Sequence, residues 1–179
     1  MNKGEMIRLS KSVKLASVKP HEKVLDLGCG DCKLKKFLPD VDYLGIDIKK
    51  KAKNVIEWDL ERGLPPEIRK RKFDIIFMNE FIKHIENFKT LLIQCKNILS
   101  KNGRIILSTP SPNRFIIRED PTHIHCFRKT NIINLARICG LKVTKIIGSH
   151  IRIPVLHWII PTNQTFYSDV IIYRLDQFD

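Results

Sequence analysis

Two rhythms of apolar positions run along the chain. Met6, Leu9, Val13 and Ala16 recur at three-to-four spacing and predict a short amphipathic helix over 6–18, ended by Pro20 and lying across the main sheet. Beyond it the pattern becomes short apolar runs punctuated by Gly, Pro and Asp, at 23–27, 43–48, 54–58, 73–78 and 104–108, which read as buried strands. Helical patterns separate several of them. One covers 88–99, where Leu91, Leu92, Cys95, Ile98 and Leu99 share a face; another covers 131–139, opened by Thr130 and closed by Gly140. Strand alternating with helix implies an α/β fold, a parallel sheet with right-handed crossovers and helices on both faces. The end of the chain differs: 141–147 and 166–175 are rich in β-branched residues with no helical pattern between them, and predict an antiparallel pair.

Composition narrows this to one soluble domain over 1–179, since 43% hydrophobic and 28% charged residues exclude a disordered or collagen-like chain. A chain of this size buries roughly 70% of its unfolded surface, so it needs no disulfide or metal staple. The 32 Lys and Arg against 19 Asp and Glu give a formal charge of +13, which favours anionic partners or reflects heat adaptation; the two readings stay open. The basic runs 49–53 and 69–72 fall on connections, as a solvated surface would. Five cysteines, an odd number, follow no export signal, so a reducing cytoplasm is expected. No apolar run approaches the roughly 20 residues of a membrane span; 151–160 is interrupted by Arg152, Pro154 and His157.

The segment Val24-Leu25-Asp26-Leu27-Gly28-Cys29-Gly30-Asp31-Cys32 is an apolar strand that ends in an acidic residue and two closely spaced glycines before a helix. Glycine lets a backbone turn sharply and approach a ligand with no β-carbon in the way, at the strand end where open α/β sheets bind ligands. A dinucleotide fingerprint needs a third glycine three residues after Gly30, and Lys33 stands there, so NAD is disfavoured. The Cys29-x-x-Cys32 spacing suggests a zinc or redox pair, but no second cysteine or histidine pair completes a metal site, and a structural role is expected.

The segment resembles the first motif of the class I S-adenosylmethionine-dependent methyltransferases, an acidic residue followed by G-x-G-x-G: Asp26, Gly28 and Gly30 match, and Cys32 replaces the last glycine. Further matches follow in order. Tyr43-Leu44-Gly45-Ile46-Asp47 resembles the end of the family's second strand, which implies that Asp47 accepts hydrogen bonds from the ribose hydroxyls and that Ile48 adjoins the cofactor. Glu57-Trp58-Asp59-Leu60 resembles the third strand's end, which implies Asp59 at the adenine amino group and Trp58 at the ring. Phe73 to Glu80 resembles the fourth-strand motif, which implies Asn79 and Glu80 at the strand exit beside the methionyl portion. The resemblance spans 23–140 and implies a Rossmann-like fold of seven strands in the order 3-2-1-4-5-7-6, with the seventh antiparallel.

Methyl transfer is an in-line displacement whose electrophile comes from the cofactor, so the protein mainly positions an acceptor and excludes water. For a hydroxyl or carboxylate acceptor a histidine base helps. Among His84, His123, His125, His150 and His157, the candidate is His123, in the run Asp120-Pro121-Thr122-His123 that resembles the small-molecule branch, with Asp120 placed to orient it; His84 is expected to shape the pocket. The segments 1–20, 110–128 and 149–165 can cover a substrate, and apolar 153–161 either caps the core, forms a homodimer contact or receives an apolar acceptor. Asn79-Glu80-Phe81-Ile82 lacks the Pro-Pro-aromatic signature of base amino methyltransferases. The expected activity is methyl transfer to a small-molecule acceptor, anionic or lipid-linked. An RNA methyltransferase and a non-catalytic cofactor-binding partner subunit are the alternatives.

Overall fold

The computed structural model describes residues 1–112, 122–149 and 169–178. Seven strands form one sheet: β1 (Lys23–Leu27), β2 (Asp42–Asp47), β3 (Val55–Glu57), β4 (Phe73–Asn79), β5 (Leu99–Pro110), β6 (Leu141–Gly148) and β7 (Val170–Gln177). Their order is β3-β2-β1-β4-β5-β7-β6. The first five run parallel, and β7 is antiparallel to both β5 and β6. The expected strand order and the antiparallel ending are therefore both present.

Alternate strand residues feed two cores. Leu25, Ile76, Ile105 and Tyr173 pack with Leu91, Leu92 and Cys95 of α2 (Phe88–Asn97) and Ile132 and Ala136 of α3 (Lys129–Ile138). On the opposite face Val24, Tyr43, Ile75, Phe77 and Ile106 pack with Leu9, Leu15 and Ala16 of α1 (Lys3–Ala16). Each fully buried aliphatic or aromatic side chain contributes roughly 1.5–3 kcal/mol. Arg104 of β5 ties α1 down: it is buried, donates to the carbonyls of Ala16 and Ser17 at the end of the helix, and pairs with the Glu22 carboxylate at 3.0 Å.

Several element ends depart from expectation. Helix α1 starts earlier than its apolar pattern, because the Asn2 carboxamide caps the Glu5 amide (2.8 Å) and recruits a polar first turn. Leu99 opens β5 instead of closing α2, pairing with Phe73. Helix α3 opens ahead of Thr130, where the Asn131 side chain accepts from the Arg128 amide at 2.9 Å. After β1 there is only a 3-10 turn, Lys33–Phe37, since Leu38 precedes Pro39 and is held extended (φ −85°, ψ 144°). On that face α1 does most of the covering. Among the described residues no helix is long and apolar enough to cross a membrane.

Candidate active site

The parallel strands bring their C-terminal ends to one edge of the sheet. Register pairs Leu27 with Ile46 and Asp26 with Phe77, so the loops after β1, β2 and β4 leave side by side. The β1 exit turns at Gly28 (φ +68°) and Gly30 (φ +52°). A β-carbon at Gly28 would sit 2.3 Å from the Phe81 ring, whereas one at Gly30 would meet nothing within 4 Å, so the Gly30 backbone borders open space. The Gly30 amide donates to Asp47 Oδ2 at 2.8 Å and thereby fixes the carboxylate at the β2 exit. Asp47 keeps further lone pairs for a ligand's hydroxyls.

A cleft of about 180 Å3 opens here, bordered by Asp26, Gly28, Gly30, Asn79 and, from α1, Arg8 and Leu9. The Asn79 carbonyl oxygen accepts from the Ser12 hydroxyl at 2.8 Å, while its Nδ2 is buried without a partner, as is Arg8 Nε. A buried donor without an acceptor is costly, and both of these residues border the one cleft. Lys33–Glu5 (3.2 Å) and Lys51–Asp31 (2.8 Å) close the rim. Asp26 lies beneath, 3% exposed, accepting from the Tyr43 hydroxyl at 2.8 Å. Burial pushes its carboxyl up to about 7, the Tyr43 hydrogen bond opposing and the Asp47 charge adding to the rise.

The β4 exit is built differently. Glu80 takes φ +57°, held by its amide donating to Ser108 Oγ (3.0 Å) and to the Ser108 carbonyl (3.1 Å). Its carboxylate pairs with buried Lys83 at 2.8 Å and with Arg8 at 3.8 Å. The carbonyl of Lys83 accepts the amides of Ile124 and His125 (3.1 and 3.2 Å), pinning the histidine loop to this exit. His84 Nδ1 lies 3.0 Å from the Thr122 carbonyl, and its ring lies 5.0 Å, centroid to centroid, from that of His123. His125 instead packs edge-on against Phe88. Asp120, His150, His157 and the apolar run 153–161 lie outside the described residues.

The remaining sequence candidates sit at the β2 and β3 exits. Ile48 is 67% exposed beside Asp47. Trp58 is half-buried, its amide donating to the Asp47 carbonyl (2.9 Å) and its indole N–H to the Gly63 carbonyl (2.8 Å). The Asp59 carboxylate caps the turn that follows, accepting from the Glu61 amide at 3.0 Å. Sequence reading missed Arg8, Ser12 and Lys83. The signal for the first two was a polar i, i+4 pair flanking Leu9 on an otherwise apolar helix face.

The family model described as a methyltransferase domain matches residues 5–146, most of the chain and every element that lines the cleft. The chain belongs to the methyltransferase domain family. It is similar to the ubiquinone biosynthesis O-methyltransferase of Pelagibacter ubique (strain HTCC1062), 24% identical over 170 residues, covering 80% of this chain and 70% of that protein. The corresponding Pseudomonas putida (strain W619) enzyme is 26% identical over 156 residues, with 71% and 67% covered. A SAM-dependent methyltransferase from Archaeoglobus fulgidus shares the fold, with a TM-score of 0.76 at 17% identity, covering 98% of this chain and 95% of that one. This methyltransferase thus has the fold of that S-adenosylmethionine-dependent neighbour. Its residues suit that cofactor: a glycine turn bordering open space, a carboxylate for a ribose and orphaned donors for a carboxylate.

Proposed function

We propose that this methyltransferase acts as a single domain on a small-molecule acceptor bearing a hydroxyl and an anionic group. When bound, the cofactor supplies an electrophilic methyl group, and the chain's task is to hold both partners and keep water out. In this reading the Gly28–Gly30 turn carries the cofactor, Asp47 accepts from the ribose hydroxyls, and Asn79 and Arg8 satisfy their orphaned donors on the methionyl carboxylate. Asp26 supports the turn from beneath. Ile48 and Trp58 flank the adenine, with Asp59 near its amino group. Because the Trp58 N–H is committed to Gly63, the indole offers its face and not its edge.

His123, next to His84 at the β4 exit, is the proposed general base for the acceptor hydroxyl. The O-methyltransferase relatives support a hydroxyl acceptor. The formal charge of +13 supports an anionic one.

The observation that carries this reading is the Gly28–Gly30 turn hydrogen-bonded to Asp47 beside two buried donors that lack acceptors. Calorimetric titration with S-adenosylmethionine and S-adenosylhomocysteine, followed by an acceptor screen with a radiolabelled methyl group, tests it. Micromolar binding with transfer to an anionic phenol or hydroxy acid is expected. Folded protein that binds neither would make a non-catalytic partner subunit the better reading.

A further inference from the structure

Cys29 and Cys32 bracket Gly30 in the turn that carries the proposed cofactor site, and their Sγ atoms lie 3.9 Å apart. The Cys32 amide donates to the Cys29 carbonyl at 2.9 Å, closing a four-residue turn and bringing the two backbones within the span that a disulfide bridges. Both are free thiols. Bond formation needs the sulfurs to close to about 2.05 Å, a movement that turns both side chains and shifts the turn between them.

Cys32 occupies a left-handed conformation, φ +53°. Glycine would adopt that conformation without steric cost; cysteine adds there a side chain that packs against the core beneath α1 and sets its sulfur 3.9 Å from that of Cys29. The two thiols differ in access. Cys32 is half-buried, whereas Cys29 is 9% exposed and its sulfur fills a notch over Gly45, where a β-carbon would stand 2.6 Å away. Burial and the Asp26 carboxylate push the Cys29 thiol up, so it suits the second, resolving step more than the first encounter.

We propose that Cys29 and Cys32 form a reversible intramolecular disulfide, by exchange with a low-molecular-weight disulfide, that controls cofactor binding at the Gly28–Gly30 turn. The control half rests on the functional reading given above. In the first step the Cys32 thiolate attacks one sulfur of R–S–S–R, its S–S bond breaks and one R–S⁻ leaves. In the second the Cys29 thiolate attacks the Cys32 sulfur and expels the other R–S⁻. Two cysteine thiols are oxidised, one external disulfide is reduced to two thiols, and the two cysteine protons end on the departing thiolates.

Closing the ring draws the Cys29 sulfur out of its notch over Gly45 and fixes the backbone on both sides of Gly30, whose amide orients Asp47. The oxidised turn therefore no longer presents the Gly30 amide and the Asp47 carboxylate together. Linkage requires the reciprocal effect: bound cofactor shifts the thiol–disulfide equilibrium away from the ring.

The test uses the full chain with Cys126, the exposed thiol, changed to Ser, equilibrated with oxidised glutathione. Thiol counting and peptide mass spectrometry are expected to show the loss of two thiols as a Cys29–Cys32 link. S-adenosylhomocysteine affinity by calorimetry is expected to fall tenfold or more and to return with dithiothreitol. A Cys32→Ser variant should give the same affinity before and after oxidant, whatever that affinity is. A stable glutathione adduct with no internal link would overturn ring formation, and equal affinity of linked and reduced protein would overturn control. Reduced protein that binds no S-adenosylhomocysteine would sink the functional reading and the control with it, while the thiol count would still report whether the ring forms.

Discussion

The loops leaving β1 and β4 lie side by side, and each turns through a left-handed backbone conformation by opposite means. At the β1 exit glycines make the turn, so the backbone itself is the surface offered to a ligand, and Asp47 is the side chain it positions. At the β4 exit a glutamate makes it, held by Ser108, Lys83 and Arg8, so that a charged cluster is presented in place of bare backbone. The first arrangement suits a ligand that is always the same. The second suits a partner chosen by charge.

If that division is right, changes on the β1 side act on the cofactor and changes on the β4 side act on turnover or stability. The largest expected effect concerns Asp26. Its carboxyl, raised to about 7 by burial, favours the protonated folded state. Stability is therefore full below about pH 4 and lost as pH rises to about 7, by roughly 4 kcal/mol. Denaturant unfolding from pH 4 to 8 should show that loss, and Asp26→Asn should flatten it; an unchanged slope would remove Asp26 as its source.

Gly28→Ala places a methyl group against Phe81 at a positive φ and is expected to weaken S-adenosylhomocysteine binding more than ~100-fold, about 2.7 kcal/mol by calorimetry. His123→Ala, the counterpart on the β4 side, should lower turnover by about 100-fold with cofactor affinity within about twofold. Full activity would show that His123 is no base.

Glu80→Ala leaves buried Lys83 without its carboxylate and should cost about 2 kcal/mol in thermal or chemical unfolding, discounted for partial exposure. Asp47→Ala is the smallest change, about tenfold in cofactor affinity or ~1.4 kcal/mol, from the loss of the proposed ribose contacts. An Asp47 variant with native affinity would blur the contrast between the two exits.

Strands β1, β2 and β4 were legible because central parallel strands are buried on both faces and read as unbroken apolar runs. Leu99 was not, since its side chain fits the α2 stripe as well as the β5 face, and only pairing with Phe73 decides between them. Gly28, Gly30 and Asp47 could be read because a turn of this shape constrains residue type locally. Arg8 could not, because only the completed fold brings it to Glu80 and nothing near it in sequence indicates that partner; Lys83, by contrast, is a local i, i+3 partner of Glu80 that went unread. The absence of a full helix after β1 was written in Leu38-Pro39, a local signal outweighed by the expectation of regular alternation.

The clasp between Arg104 and the end of α1 also orders events in time. Helix α1 emerges before the sheet, yet the side chains that grip it, Arg104 and, through the Leu15 carbonyl, Arg174, arrive 88 and 159 residues later. Contacts of such separation close large loops and tend to form late. The helix made before the sheet is thus expected to be the last seated, so the wall it contributes to the cleft is completed only once β5 and β7 are in place.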